Sequence, residues 1–167
     1  MKEFAPFPKI PRLYREIVVT EKIDGTHASL YFDETGPDSL LVGSRTRWIT
    51  AEADNYGFAA WAGPRRESLF TLLGPGHHFG EWYGVGINRN YGLHERRLAL
   101  FNAKRWAGVK GEIAAKGLSD LPNVECVPPI AAIVSNAGLV TSLAPMTKAT
   151  SACPNSELMS SSSNTSS

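Results

Sequence analysis

The chain has 167 residues, 43% of them hydrophobic and 20% charged, with a formal net charge of +1. That size fits a single domain with a buried core, and the near-neutral balance excludes arguing a nucleic-acid partner from overall charge. Only local basic clusters remain to make that case: Arg45 and Arg47, Arg65-Arg66, Arg96-Arg97 and Lys104-Arg105.

The N-terminal segment is broken by Pro6, Pro8 and Pro11 and holds no apolar run of signal-peptide length. Glu16 to Lys22 reads as a strand, and Asp24-Gly25 as the turn that starts a return strand through His27 to Phe32. In a strand, side chains two apart share a face, so Lys22 and Asp24 are expected to point together and Glu21 and Ile23 to point the other way. Gly36-Pro37-Asp38 punctuates, and Ser39 to Ser44 reads as a third strand leading into Arg45-Thr46-Arg47. Asp54 to Trp61 and Glu67 to Leu73 read as short helices, the second ended by Gly74. His78 to Tyr83 and Arg97 to Asn102 read as strands, Ala107 to Lys116 as a helix weakened by Gly108 and Gly111, and Val124 to Val127 as a last strand. Strands dominate and no regular βαβ alternation is visible, so the expected class is α+β with mainly antiparallel sheets and short helices.

From Pro128 the character changes. Residues 128–167 carry only two charged side chains, Lys148 and Glu157, and end in a serine-rich run. The division expected is a structured part, 1–127, and an atypical low-charge, poorly ordered tail, 128–167. Cys126 and Cys153 have neither metal-ligand spacing nor a disulfide framework, so a reduced, cytoplasmic or otherwise intracellular chain is expected. No stretch approaches the roughly 20 apolar residues that span a bilayer, so no membrane partner is expected, and no feature points to a protein partner. Gly84-Val85-Gly86 lacks the third glycine and the helix of a dinucleotide fingerprint. His77-His78 lacks the spacing of a zinc site.

Lys22-Ile23-Asp24-Gly25 is the stretch with chemistry in it. A lysine between Glu21 and Asp24 is either a salt-bridged turn residue or a nucleophile. A free lysine has a pKa of about 10.4, which leaves about one amine in a thousand unprotonated near neutrality. A nucleophilic lysine needs the neutral form, and neighbouring carboxylates favour the ammonium. In the nucleophile reading something must therefore offset Glu21 and Asp24, and a bound cation would do so; a salt-bridged turn lysine needs no such help.

Three further elements follow in order: Gly43-Ser44-Arg45-Thr46-Arg47, Phe79-Gly80-Glu81-Trp82-Tyr83-Gly84 and Arg97-Leu98-Ala99-Leu100-Phe101-Asn102. Together with Lys22-Ile23-Asp24-Gly25 the set resembles motifs I, Ia, III and IIIa of ATP-dependent RNA ligases, within the superfamily of ligases and mRNA capping guanylyltransferases. The resemblance runs from about Thr20 to Val127. It implies an adenylation domain of the nucleotidyltransferase, ATP-grasp-like kind, with residues 1–127 as its N-terminal part. It implies ATP and Mg2+, and RNA ends, a 5′-phosphate and a 3′-hydroxyl, as partners. By the same resemblance Lys22 is the nucleophile that becomes lysyl-AMP. Glu21, Asp24, Gly25, Arg45, Arg47, Glu81 and Phe101 are then the nucleotide-binding residues, with Glu81 on the ribose or a metal-bound water and Phe101 stacked on adenine. Two elements of the family, an acid-bearing motif IV and a lysine-bearing motif V, are not found after Val127. That departure makes a non-catalytic nucleotide- or RNA-binding remnant an alternative reading and leaves the domain expected to be incomplete at its C-terminal side. A DNA ligase or guanylyltransferase relative is a further alternative, because nothing in the sequence reads the sugar or separates ATP from GTP.

Overall fold

The structure is a computed structural model that describes residues 3, 4, 6, 17–133 and 140–141. Alternation in the segment after Gly25 builds β2, Thr26–Phe32, with Ala28, Leu30 and Phe32 buried on one face. It pairs antiparallel with β5, Gly76–Gly84, over seven residues, and with β3, Leu41–Gly43. With β4, Trp48–Ile49, β6, Arg96–Leu100, and β7, Val124–Cys126, these form a six-stranded sheet in the order β4-β3-β2-β5-β6-β7. Among the described strands only the β6–β7 pair is parallel. The sequence expectation of an α+β fold with largely antiparallel sheets and short helices is what the structure shows.

The helices cover one face of that sheet. They are α1, Phe58–Ala62, α2, Arg66–Leu73, α3, Ala103–Trp106, and α4, Val109–Ala115. Phe58, Ala62, Leu69, Leu72, Trp106, Val109 and Ile113 meet Ala28, Leu30, Phe32, Trp82, Leu98 and Leu100 in one core. Gly74 closes α2 at φ 75°, its N–H donating to the Phe70 carbonyl at 2.8 Å. Asp54 sets the start of α1 from outside it: its carboxylate accepts from the N–H groups of Ala59 at 2.9 Å and Ala60 at 2.8 Å. The helix is accordingly shorter and later than the expected span from Asp54. The helix expected over Ala107–Lys116 is α4, shorter by two residues at its start and one at its end; α3 precedes it and was not expected, started by Asn102 at φ 62°, whose side chain accepts from the Arg105 N–H.

The hairpin expected at Asp24-Gly25 does not form. β1, Ile17–Thr20, pairs with β8, Pro129–Ile133, which pairs with β9, Val140–Thr141, in a separate three-stranded sheet. Residues 21–25 cross from that sheet to the six-stranded one. The Asp-Gly signal misled because Gly25 is not needed for a positive φ. A Cβ there would sit 2.5 Å from the Trp82 carbonyl oxygen and 2.7 Å from the Tyr83 Cβ, so the glycine is required by close approach to β5. Of the expected tail, 128–133 and 140–141 are described and contribute β8 and β9; its remaining residues lie outside the described ones, as do Pro8 and Pro11. No described helix is long and apolar enough to cross a membrane.

Candidate functional site

Lys22 is held from both sides of the crossing. On one side the Glu21 N–H donates to the Pro128 carbonyl at 2.9 Å, just beyond a bulge between Val19 and Thr20 in the β1–β8 ladder. On the other side the Gly25 N–H donates to a Glu81 carboxylate oxygen at 3.2 Å. Between these anchors Ile23 is buried with Tyr83, Ala99 and Val127, which leaves Lys22 exposed at the mouth of a cavity of about 290 Å³. Thr20, Glu21, Lys22, Glu81, Phe101 and Val127 line it, with Ile23 at its base. The alternation expected for a continuous strand does not apply, because residues 21–24 belong to neither sheet.

Glu81 lies on β5 opposite His27 of β2 and Ala99 of β6. Burial pushes its carboxyl above the ordinary glutamate range, the Gly25 N–H and the Lys22 charge pull it back down, and the Asp24 charge adds to the rise. His27 is held below the ordinary imidazole range, first by burial and then by the charge of Arg45. The His27 ring lies 6.0 Å from Phe101 and 5.9 Å from Phe79. Phe79 in turn lies 4.1 Å from His77, which meets both Tyr31 and Trp48. An aromatic row therefore runs across the face of the sheet opposite the described helices and ends at the cavity. Phe101 is fixed there by its N–H, which donates to the Phe79 carbonyl at 2.8 Å.

Of the residues singled out in sequence, Glu21, Lys22, Glu81 and Phe101 meet at the cavity, and Gly25 positions Glu81. Arg45 and Arg47 do not line it. Both are exposed in the turn between β3 and β4, where the Ser44 N–H donates to the Arg47 carbonyl at 2.9 Å. Strand spacing cannot put them on one face, because neither is in a strand. Asp24 also stands off the cavity lining: its carboxylate accepts from Asn88 Nδ2 at 3.0 Å and Arg89 Nε at 3.1 Å. Sequence reasoning missed His27, Asn88, Arg89 and Tyr91. His27 was readable as the site-facing position of β2 once Glu81 was chosen, since the two are direct partners; the loop residues gave no local signal of what they touch.

The residues suit a nucleotide better than a free metal ion. An amine, a carboxylate and an aromatic ring converge on one cavity close to the lower end of ordinary ligand pockets. Among the described residues no group of three His, Cys, Asp or Glu side chains is placed to hold a metal. A divalent ion would thus rely on phosphate oxygens for most of its ligands, with Glu81 the carboxylate within the cavity.

The α+β fold has counterparts among known structures. The chain is similar to Naegleria gruberi RNA ligase: to a mutant with AMP and Mn at 21% identity and TM-score 0.53, and to the form with PPi at the same values. A further mutant with ATP and Mn matches at 19% identity and TM-score 0.53. Each match covers 74% of this chain and 38% of that one, so the chain corresponds to well under half the length of these solved relatives. No curated protein matches it. The family model for RNA ligases matches residues 15–143, and the chain belongs to the RNA ligase family.

Proposed function

We propose that this chain carries the nucleotide-binding part of an ATP-dependent RNA ligase, in which Lys22 forms a lysyl-AMP intermediate. The observation that carries the reading is the convergence of Lys22, Glu81 and Phe101 on one cavity from three separate segments. In the first step the Lys22 amine attacks the α-phosphorus of ATP. A P–N bond forms, the bond to pyrophosphate breaks, and the amine proton passes to solvent. An RNA 5′-phosphate then attacks the phosphoramidate and takes the AMP, which restores the lysine. A 3′-hydroxyl finally attacks that activated 5′-phosphate, AMP leaves, and the strand is sealed.

The chain's own groups supply positioning for this sequence. Phe101 offers a ring face to the base, a contact worth about 1–3 kcal/mol. Glu81, held by the Gly25 N–H, would accept from a ribose hydroxyl or a metal-bound water. Arg45, with its charge already felt at His27, and Arg47 are candidates to reach phosphates from the β3–β4 turn. A divalent ion, Mg2+ or Mn2+, would neutralise phosphate charge when bound with the nucleotide. The Naegleria relatives were solved with ATP or AMP and Mn, which supports a nucleotide and a divalent ion here. Glu21 and Asp24 complete the set of candidate binding residues.

One sequence observation favours a second reading. Residues 128–167 contain one lysine and one glutamate, so the acid and the lysines of the family's later motifs have no counterparts there. A non-catalytic nucleotide- or RNA-binding remnant would result. Incubating the purified chain with magnesium or manganese and α-labelled ATP or GTP separates the readings. The ligase reading expects an acid-labile, alkali-stable label from ATP that disappears in Lys22→Ala. Label from GTP alone moves the assignment to a capping-type guanylyltransferase, and nucleotide binding without label moves it to the remnant.

A further inference from the structure

The loop after β5 reaches back to the Asp24 turn. Its course is set by Ile87, 1% exposed in the core, and by successive backbone bonds from Ile87 N–H to Gly84, Asn90 N–H to Ile87 and Leu93 N–H to Asn90, each 3.0 Å. Asn88, Asn90 and Tyr91 all have positive φ, 43°, 60° and 52°. Such angles cost non-glycine residues energy, so the surrounding structure must hold them. The loop places three side chains on two residues. Asn88 uses both amide hydrogens, one on Asp24 Oδ1 at 3.0 Å and one on the Gly25 carbonyl at 2.8 Å. Arg89 Nε donates to Asp24 Oδ2 at 3.1 Å. Tyr91 Oη accepts from the Asp24 N–H at 2.6 Å, and its ring packs edge-on against Tyr83.

We propose that this loop is a brace for the nucleophile: Asn88, Arg89 and Tyr91 fix the Asp24-Gly25 turn, and Arg89 offsets the Asp24 carboxylate so that it does not pair with Lys22. Its meaning for catalysis rests on the ligase reading above, but the brace itself is testable without nucleotide. Arg89 is a positioning residue that acts through Asp24. The charged groups around Lys22 are Glu21 beside it, Asp24 two residues on and Glu81 from β5. Behind Tyr83, whose hydroxyl donates to Glu125, lie Glu125 and Arg97, themselves 3.5 Å apart. Arg89 is the only cation bonded to Asp24 among the described residues, and Lys22 makes no ion pair among them. The excess of carboxylates that the sequence left to a metal ion is thus partly met by the protein.

Arg89 is exposed, with 78% of its side-chain surface open, so its removal should barely change folding stability. The effect to read is the charge at Lys22. Acetic anhydride labelling of the whole folded chain, followed by peptide mass spectrometry, reports Lys22 reactivity between about pH 6 and 10. In Arg89→Gln the freed Asp24 favours the ammonium, and the Lys22 profile moves alkaline by about half a pH unit, the size an exposed ion pair supports. Arg89→Lys retains the charge and stays close to wild type. In Asp24→Asn the profile moves the opposite way, and adding Arg89→Gln changes it no further. Overlaid wild-type and Arg89→Gln profiles at equal melting temperature overturn the brace. So does a shift that persists in the Asp24→Asn background, which would mean that Arg89 acts on Lys22 directly. Failure of Lys22 to accept AMP leaves these outcomes readable and counts against the ligase reading alone.

Discussion

Gly25 joins the Lys22 segment to β5, and its demand is spatial. Any side chain there would strike the Trp82 carbonyl and the Tyr83 Cβ, both part of a rigid strand, so the crossing segment would have to back away. Glu81 would lose its bond from the Gly25 N–H and Lys22 would leave the cavity mouth. Gly25→Ala is expected to destabilise the fold by about 1–3 kcal/mol, the usual cost of overpacking, and to abolish lysyl-AMP formation. Denaturant unfolding and ATP labelling together check it, and full labelling in a well-folded variant would show that the close approach is not required. Such a constraint is invisible in sequence, where Asp24-Gly25 carries the signature of a hairpin. The residues readable from sequence were those whose type is itself the chemistry: Lys22, Glu81 and Phe101 reach one cavity. Arg45 was singled out by its motif, and Arg47 was added on a strand spacing that the turn annuls. Arg89 shows its purpose only through a partner 65 positions away.

At the level of elements, local pattern was sufficient wherever the partner strand lies on a regular sheet. Alternation marked β2, β5 and β6 within a residue or two of their ends, and Gly74 marked the end of α2. It failed for β1, because the choice between returning on β2 and pairing with β8 depends on a segment more than a hundred residues downstream, which the low charge of 128–167 disguised. That pairing has a consequence for the site. β8 is the central strand of its sheet, and the Pro128 carbonyl beside it holds Glu21. Ala132→Pro would remove a donor from the ladder opposite Val18. The expected result is a loss of about 0.5–1.5 kcal/mol, the net worth of one ladder hydrogen bond, with weaker ATP labelling at Lys22, while the six-stranded sheet persists. Circular dichroism and the labelling assay read the two effects separately, and unchanged labelling would show that β8 does not support the site.

For the molecule as a whole, two kinds of half-buried group contribute pH dependence of opposite sign. His27 and His78 both titrate below the ordinary imidazole value of 6.5, burial being the first cause in each. The unfolded chain therefore binds protons more readily, and the stability these groups contribute is lost as pH falls from 6.5 through their lowered values. Glu81 has the opposite sign. Its carboxyl lies above the ordinary 4.5, so the folded chain binds its proton first, and its contribution grows as pH falls through that raised value. His78→Gln should flatten the decline in unfolding free energy below about pH 6.5, and Glu81→Gln should steepen it. Curves parallel to wild type in either variant would refute the burial assigned to that side chain. Burial thus works against the ionised form of Glu81, a cost to the fold at a position that lines the same cavity as Lys22.

The central claim is that the amine of Lys22 is the atom that accepts AMP. Peptide mapping by mass spectrometry, after the chain is incubated with ATP and magnesium and digested under alkaline conditions, tests it most directly. The account predicts a single adenylate on the peptide containing Lys22, absent from the Lys22→Ala variant and removed by acid. An adenylate on any other lysine, or one that survives Lys22→Ala, would contradict it.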